Sequence, residues 1–279
     1  MDTGNPVCSG RILVTVSRVP RLVLASQSPA RLATLQSAGV TPEVVVSGVD
    51  EDKVLADATE RFGELDPADA VLVLAQAKAE EVASRLEESW ADAEAPAGPS
   101  DGEPSDRGPG DAGPADGDGP SDVEQADADQ ADVDSAPVDV IVVGCDSMLE
   151  IDGAIVGKPA DAATARERWR AMRGSKGVLH TGHWVVDLRD DAAGGTGGTL
   201  GSTSSTTVWF ADIDDDEIDA YVATDEPLHV AGAFTIDGLG GPYVERIEGD
   251  HHGVVGISLP LLRELLAELN VPWRHLRKA

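Results

Sequence analysis

An α/β fold with a mixed sheet is what this sequence predicts, and three observations carry the prediction. Short runs of strand-forming residues alternate with stretches of helical apolar spacing. The run Val140 to Val143 is apolar without a break, as a central strand covered on both faces requires. Asp152-Gly153 is a strong two-residue hairpin signal and adds an antiparallel pair.

Taken in order, residues 1–20 read as a loose lead-in in which 11–16 can form a short extra strand. The first strand, 21–26, contains Leu22-Val23-Leu24 and stops at Ser26-Gln27-Ser28-Pro29. Ser28 reads as an N-cap and Pro29 as the first helical residue, so a helix over 29–38, with Leu32, Leu35 and Ala38 on its apolar stripe, begins abruptly. Its unpaired N–H groups face whatever lies above the strand, and such an end attracts anions. Arg31, in the first turn, has the wrong sign for the helix dipole; a nearby phosphate would give it a reason to be there. A second strand-like run covers 42–47, and "GVDEDK", 48–53, is expected to be a loop holding a cluster of acids. Ala70, Leu72, Leu74, Ala77, Val82 and Leu86 then predict a long helix over 67–90.

From 91 to 137 Pro, Gly, Asp, Ala and Ser dominate, and aromatics are absent. Such a stretch buries too little surface to offset its ordering entropy, so it is expected to be a disordered acidic insertion within a single domain over 21–279. Beyond it comes the predicted hairpin. With Asp152-Gly153 as its turn, partners sum to 305, which sets Ser147 opposite Lys158 and brings Asp146 and Lys158 together. A helix over 161–173, a strand over 177–188, a Gly/Thr/Ser loop over 190–205 and a strand over 206–213 follow, the two strands reading as a hairpin. A helix over 214–223, an unassigned segment over 229–258 and an apolar helix over 259–269 complete the chain.

The chain has 279 residues and a formal charge of −30, of which residues 91–139 carry −14 from fifteen acids and Arg107. A surface this negative argues against binding a nucleic-acid polymer through its phosphates, which needs clustered Lys and Arg. It leaves room for a nucleotide, which needs only a few local cations. Cys8 and Cys145 are too few for a disulfide framework and lack metal-ligand spacing. No apolar run reaches the roughly 18 to 20 residues of a membrane span, and no secretory signal pattern opens the chain, so a cytoplasmic protein is expected.

The polar residues at predicted strand ends and in short loops are Ser26, Ser28, Arg31, Glu51 with Asp50 and Asp52, Lys78, Asp146 and Lys158. Carboxylates from separate loops can hold a hard divalent cation, usually Mg2+, while Lys, Arg and a helix N-terminus neutralise phosphate. Together these residues describe phosphoryl chemistry on a nucleotide. Singly, each has a plainer explanation as a turn acid or a surface base. No GxxxxGK[ST], HExxH or GxSxG motif is present.

The order of the motifs is more specific than any one of them. "LASQSPARL", "GVDED", "LAQAKAEEVA", "GCDSMLEIDGAIVGKP", "DIDDDEIDAYVATDEPLHVAGAFTIDGLGG" and "GDHHGVVGISLPLLRELL" follow one another over 21–90 and 138–270. In that order they resemble the Maf family of nucleoside triphosphate pyrophosphatases. The resemblance implies a mixed twisted sheet with flanking helices and a cleft between two lobes, as in inosine triphosphatase-like folds. It implies hydrolysis of a nucleoside triphosphate to the monophosphate and pyrophosphate with a divalent metal cation. Asp146 would be the general base and a metal ligand, Glu51 a metal ligand, and Ser26, Ser28, Arg31, Lys78 and Lys158 the substrate-binding residues. A homodimer is compatible with the resemblance. Ala30 replaces the family's usual first Arg, and Asp237 and His229-Val230 depart from its pyrimidine-preferring branch. "PLHVAG" is closer to the branch acting on 7-methylated guanine nucleotides, so a modified nucleotide is one expectation. The rival is a nucleotide-binding regulator linked to cell-division arrest that has little turnover, for which Ala30 and Asp237 argue.

Overall fold

The computed structural model describes residues 19–94 and 138–277. The lead-in up to 18, with its candidate extra strand, and 95–137 of the acidic tract lie outside these described residues.

A seven-stranded mixed sheet forms the centre. Strand β1 (Arg21–Ala25) leads through a short turn to Ser28, whose side chain caps helix α1 (Pro29–Ser37), with Pro29 at its start. The return strand β2 (Glu43–Val44) lies parallel to β1. The predicted strand over 42–47 is therefore reduced to two exposed residues.

A larger correction concerns 48–53. Asp50 is an N-cap, accepting a hydrogen bond from the Lys53 N–H at 3.0 Å. Glu51 opens helix α2 (Glu51–Phe62), with Asp52 beside it in the first turn, where negative charge is favourable. Only Ala58 of this helix is buried; Val54 and Leu55 beside it are half-buried, a short apolar face behind an acidic opening that reads as loop. Helix α3 (Pro67–Glu94) then runs four residues past its predicted end.

Strand β3 (Val140–Ile151) lies parallel to β1 and antiparallel to the long strand β5 (Lys176–Asp187). The hairpin to β4 (Ala154–Val156) has the predicted register, Leu149 to Val156, Glu150 to Ile155 and Ile151 to Ala154. Its turn residues Asp152 (φ 51°) and Gly153 (φ 82°) take the left-handed conformation such a turn demands. The pairing does not extend to Ser147 and Lys158 as expected. The Gly157 carbonyl accepts instead from the Arg168 side chain and the Gly232 N–H, drawing the chain off the sheet.

Helix α4 (Ala162–Met172) precedes β5, and β6 (Thr199–Phe210) pairs with β5 over nearly its whole length. The second part of the predicted loop over 190–205, from Thr199 on, is thus strand. Its Gly201 lies under the Trp184 ring, where an added Cβ would come within 2.0 Å. The indole fills the space that the Gly/Ser/Thr composition leaves open. Helix α5 (Asp215–Val222) matches its prediction. The unassigned segment contains edge strand β7 (Val244–Glu248) and short helix α6 (His251–Val255), and α7 (Leu259–Glu268) follows.

Alternation along β1 and β3 sends Val23, Ala25, Val140 and Val142 toward α3, and Leu22, Leu24, Ile141, Val143 and Cys145 toward α1 and α7. A further core cluster, centred on Trp169 and Phe210, joins the far end of the sheet to α4 and α5. At the edge of β3 facing β1, pairing with β1 stops at Gly144 and pairing with β4 starts at Leu149. Cys145 to Met148 have no strand neighbour on that side. This interruption lies at the carboxyl end of β1, where the strand order 2-1-3 reverses, the usual place for a ligand in such sheets.

Candidate active site

An open cleft of about 740 Å³ occupies the interruption. Ser26, Ser28, Arg31, Glu51, Lys78, Asp146 and Lys158, all of the residues predicted for the site, line it. They come from β1, α1, α2, α3, β3 and the stretch after β4.

Asp146 points to the α3 side of the sheet, where two glycines let the helix approach. A Cβ on Gly144 would lie 2.2 Å from the Ala75 carbonyl oxygen, and one on Gly182 2.3 Å from that of Val71. Any larger residue would lift α3 away. With the helix this close, Lys78 Nζ reaches Asp146 Oδ1 at 2.6 Å and Glu51 Oε1 at 2.7 Å. Lys78 and Asp146 are each only 8% exposed, whereas Glu51 stands at the open rim. Burial pushes the Asp146 carboxyl above the usual aspartate range, opposed by the positive charges of Lys78 and Arg31. Lys78 is the hydrogen-bond partner of this carboxylate among the described residues.

Arg31 forms the other pole. Its Nε donates to the Gly256 carbonyl at 2.8 Å, Nη1 to Ser26 Oγ at 3.0 Å and Nη2 to Ser147 Oγ at 3.1 Å. All three acceptors are neutral, and no carboxylate pairs with Arg31 among the described residues. Its charge therefore faces the cleft without a direct ion pair among the described residues, beside the N-terminus of α1. Ser26 Oγ also accepts the Ser28 N–H at 3.2 Å, which shapes the turn into the helix. Ser147 contacts Thr181 Oγ1 at 2.9 Å, and Thr181 donates to the Gly253 carbonyl at 2.8 Å, so α6 and the sheet hold the guanidinium together. Ser147, Thr181 and Gly256 are not among the site residues the sequence suggests. Ser147 directly follows Asp146 and was within reach; the other two have no local signal.

Behind this network, His183 Nε2 accepts the Ser258 N–H at 2.8 Å and its Nδ1 lies 3.0 Å from the Thr181 carbonyl. Burial pulls the imidazole down to about 4, so it is neutral and carries its proton on Nδ1. Lys158 is exposed on the opposite wall and enters no ion pair among the described residues. That wall continues through His229, Val230, Ala231, Phe234, Ile236 and Asp237. Glu226 ties it down, accepting from the Tyr221 and Thr235 hydroxyls and the Leu239 and Gly240 N–H groups.

The family profile described as Maf-like protein matches residues 21–269. The chain belongs to the Maf family. A relative from Salinispora tropica named nucleoside triphosphate pyrophosphatase is 48% identical over 90% of this chain and 85% of its own length. Proteins of the same name from Streptomyces coelicolor and Leifsonia xyli are 44% and 43% identical, over 89% and 92% of this chain and 90% and 96% of theirs. The α/β fold with its mixed sheet, expected from the Maf resemblance, is borne out. Among the described residues no helix is long and apolar enough to cross a membrane.

Proposed function

We propose that this Maf protein is a nucleoside triphosphate pyrophosphatase that cleaves between the α- and β-phosphates in the cytoplasm. The observation that carries this reading is the cleft's polarity. A buried carboxylate, Asp146, and a rim carboxylate, Glu51, stand at one pole, and Arg31, which has no ion-pair partner among the described residues, stands beside a helix N-terminus at the other.

The donor set fits a divalent cation. Glu51 and Asp146 converge on one point that already holds a positive charge, the Lys78 ammonium. No group of three or more His, Cys, Asp or Glu side chains among the described residues is placed to hold a metal ion by itself, so substrate phosphates and water would complete the shell, as suits Mg2+. When bound, such an ion neutralises phosphate charge and lowers the cost of the charge that develops on the leaving group.

The chain's own residues do the rest. The Ser28 turn, the α1 N-terminus and Arg31 bind phosphate oxygens through N–H donors. Lys78 and Lys158 add positive charge from α3 and the far wall. Asp146, whose raised pKa brings it nearer the working range of a general base, takes a proton from the attacking water. The water oxygen then bonds to the α-phosphorus as its bond to the bridging oxygen breaks, and pyrophosphate leaves against fixed donors. The apolar stretch Val230, Ala231, Phe234 and Ile236 offers a surface for the base, with Asp237 and His229 at its margin as candidates for reading a modified one.

Hydrolysis in ¹⁸O-labelled water tests the bond assignment. The label should appear in the nucleoside monophosphate, with unlabelled pyrophosphate. Labelled orthophosphate with a nucleoside diphosphate as co-product would overturn the reading.

A further inference from the structure

The position of the Lys78 ammonium has a consequence beyond phosphate binding. It lies within 2.6 and 2.7 Å of the two carboxylates that the proposed function assigns to a divalent cation. Backbone shift is not an easy way to move it. Glycines 144 and 182 bring α3 to near contact with β3 and β5, so the helix is seated and the buried Asp146 carboxylate is freed by rotation of the Lys78 side chain. A divalent ion entering alone would have to share these oxygens with the ammonium, and two cations held by the same carboxylates repel strongly in a half-buried site.

We propose that Lys78 is a resident cation that fills the divalent-ion position in the free enzyme and yields it only when a triphosphate arrives. The inference rests on the reading of Glu51 and Asp146 as cation-holding carboxylates. A triphosphate brings several negative charges into the cleft, and its oxygens give the ammonium a new acceptor. Lys78 then turns from the carboxylates to phosphate, and the metal enters with the nucleotide. The arrangement keeps the buried Asp146 paired in the resting state, where an isolated carboxylate would be costly. It also gives Lys78 two successive partners, and so a positioning role for both carboxylate and phosphate.

The test uses Mn2+ alone, without nucleotide, on the full chain. Lys78→Met keeps the side-chain length and removes the charge. Free Mn2+ is counted by electron paramagnetic resonance, and thermal unfolding is followed with and without the ion. The wild type should show no binding that depends on Glu51. Lys78→Met should gain one site per chain, at least about tenfold tighter than any in the wild type, together with a rise in Tm on adding Mn2+. Adding Glu51→Gln in that background should abolish both gains, which separates this site from weak binding by the acidic tract. If Lys78→Met does not fold, Lys78→Gln, which can still donate to Asp146, carries the same test. Tight wild-type binding lost in Glu51→Gln would overturn the resident-cation role while leaving the metal assignment intact. Absence of a new site in a folded Lys78 variant would overturn both.

Discussion

Two buried aspartates, each paired with a cation, stand on neighbouring strands and serve opposite ends. Asp187, at the end of β5, accepts from the Arg189 backbone N–H at 3.2 Å, from its Nε at 2.7 Å and from Nη2 at 2.9 Å. It also accepts from the Thr196 N–H and hydroxyl at 2.9 and 2.8 Å. Arg189 Nη2 donates onward to the Leu269 carbonyl, tying the end of α7 to the sheet. Against its burial, these hydrogen bonds hold the Asp187 carboxyl below the usual range. Asp146 has one ammonium, an open cleft and a carboxyl shifted upward. Burial is common to both; the number of donors differs. A carboxylate saturated with donors is committed to structure, whereas one left short of them is available for a proton, a water or a metal.

The largest way to break this comparison is at the saturated pair. Asp187→Ala leaves the Arg189 guanidinium buried without its counter-ion, and urea unfolding should show a loss of about 3–5 kcal/mol. The folded fraction should still turn nucleotide over at near the wild-type rate. Wild-type stability with impaired turnover would reverse the two assignments.

His183, buried and neutral behind the Arg31 network, sharpens the same distinction through pH. Its pKa is pulled to about 4 in the fold, against about 6.5 for an unperturbed histidine. Across that window the unfolded chain binds a proton that the native state refuses. Stability is therefore full above about pH 6.5 and is lost as pH falls toward 4, by up to about 3 kcal/mol. Urea midpoints compared near pH 7 and pH 4.5 read this, and a His183→Gln variant should show the flatter dependence.

At the unsaturated aspartate, Asp146→Asn is nearly isosteric, so the fold and triphosphate binding should persist. Turnover measured by pyrophosphate release should drop by about 10² or more, the scale of a lost general base. Near-normal turnover in a folded variant would place Asp146 in the same class as Asp187. The smallest effect is expected from replacing 95–137 with a short Gly-Ser linker. The described residues that line the cleft come from either side of that tract, and lengthening a connection adds little closure entropy, so kcat/KM should stay within about twofold. A folded variant that loses most activity would place part of the acidic tract in the site.

Features written in neighbouring residues were legible in advance. The Ser28-Pro29 helix start, the Asp152-Gly153 turn with its register and the unbroken apolar run of β3 all depend on interactions a few residues apart. Helix α2 was missed because its opening, Asp50-Glu51-Asp52, has the composition of an acidic loop and only Val54, Leu55 and Ala58 mark its inner face. Strand β6 was largely read as loop because its Gly/Ser/Thr residues become strand through pairing with β5 and through Trp184 covering Gly201. The residues suggested for the site line one cleft, but in the sequence they were legible only as residues in order along the chain.

By itself, then, the sequence determined which residue types were available for chemistry and where local elements begin, since caps and turns are decided by side chains next to the backbone they satisfy. Tertiary structure alone decided what those residues do to one another. Lys78 meets Asp146, 68 positions away, because Gly144 and Gly182 admit α3 close to the sheet. Arg31 is held by a carbonyl 225 positions away and by Ser147 of β3, which leaves its charge directed into the cleft. Neither convergence has a local signature. Each follows from how closely packed layers approach, a property of backbone separation that no short stretch of residues encodes.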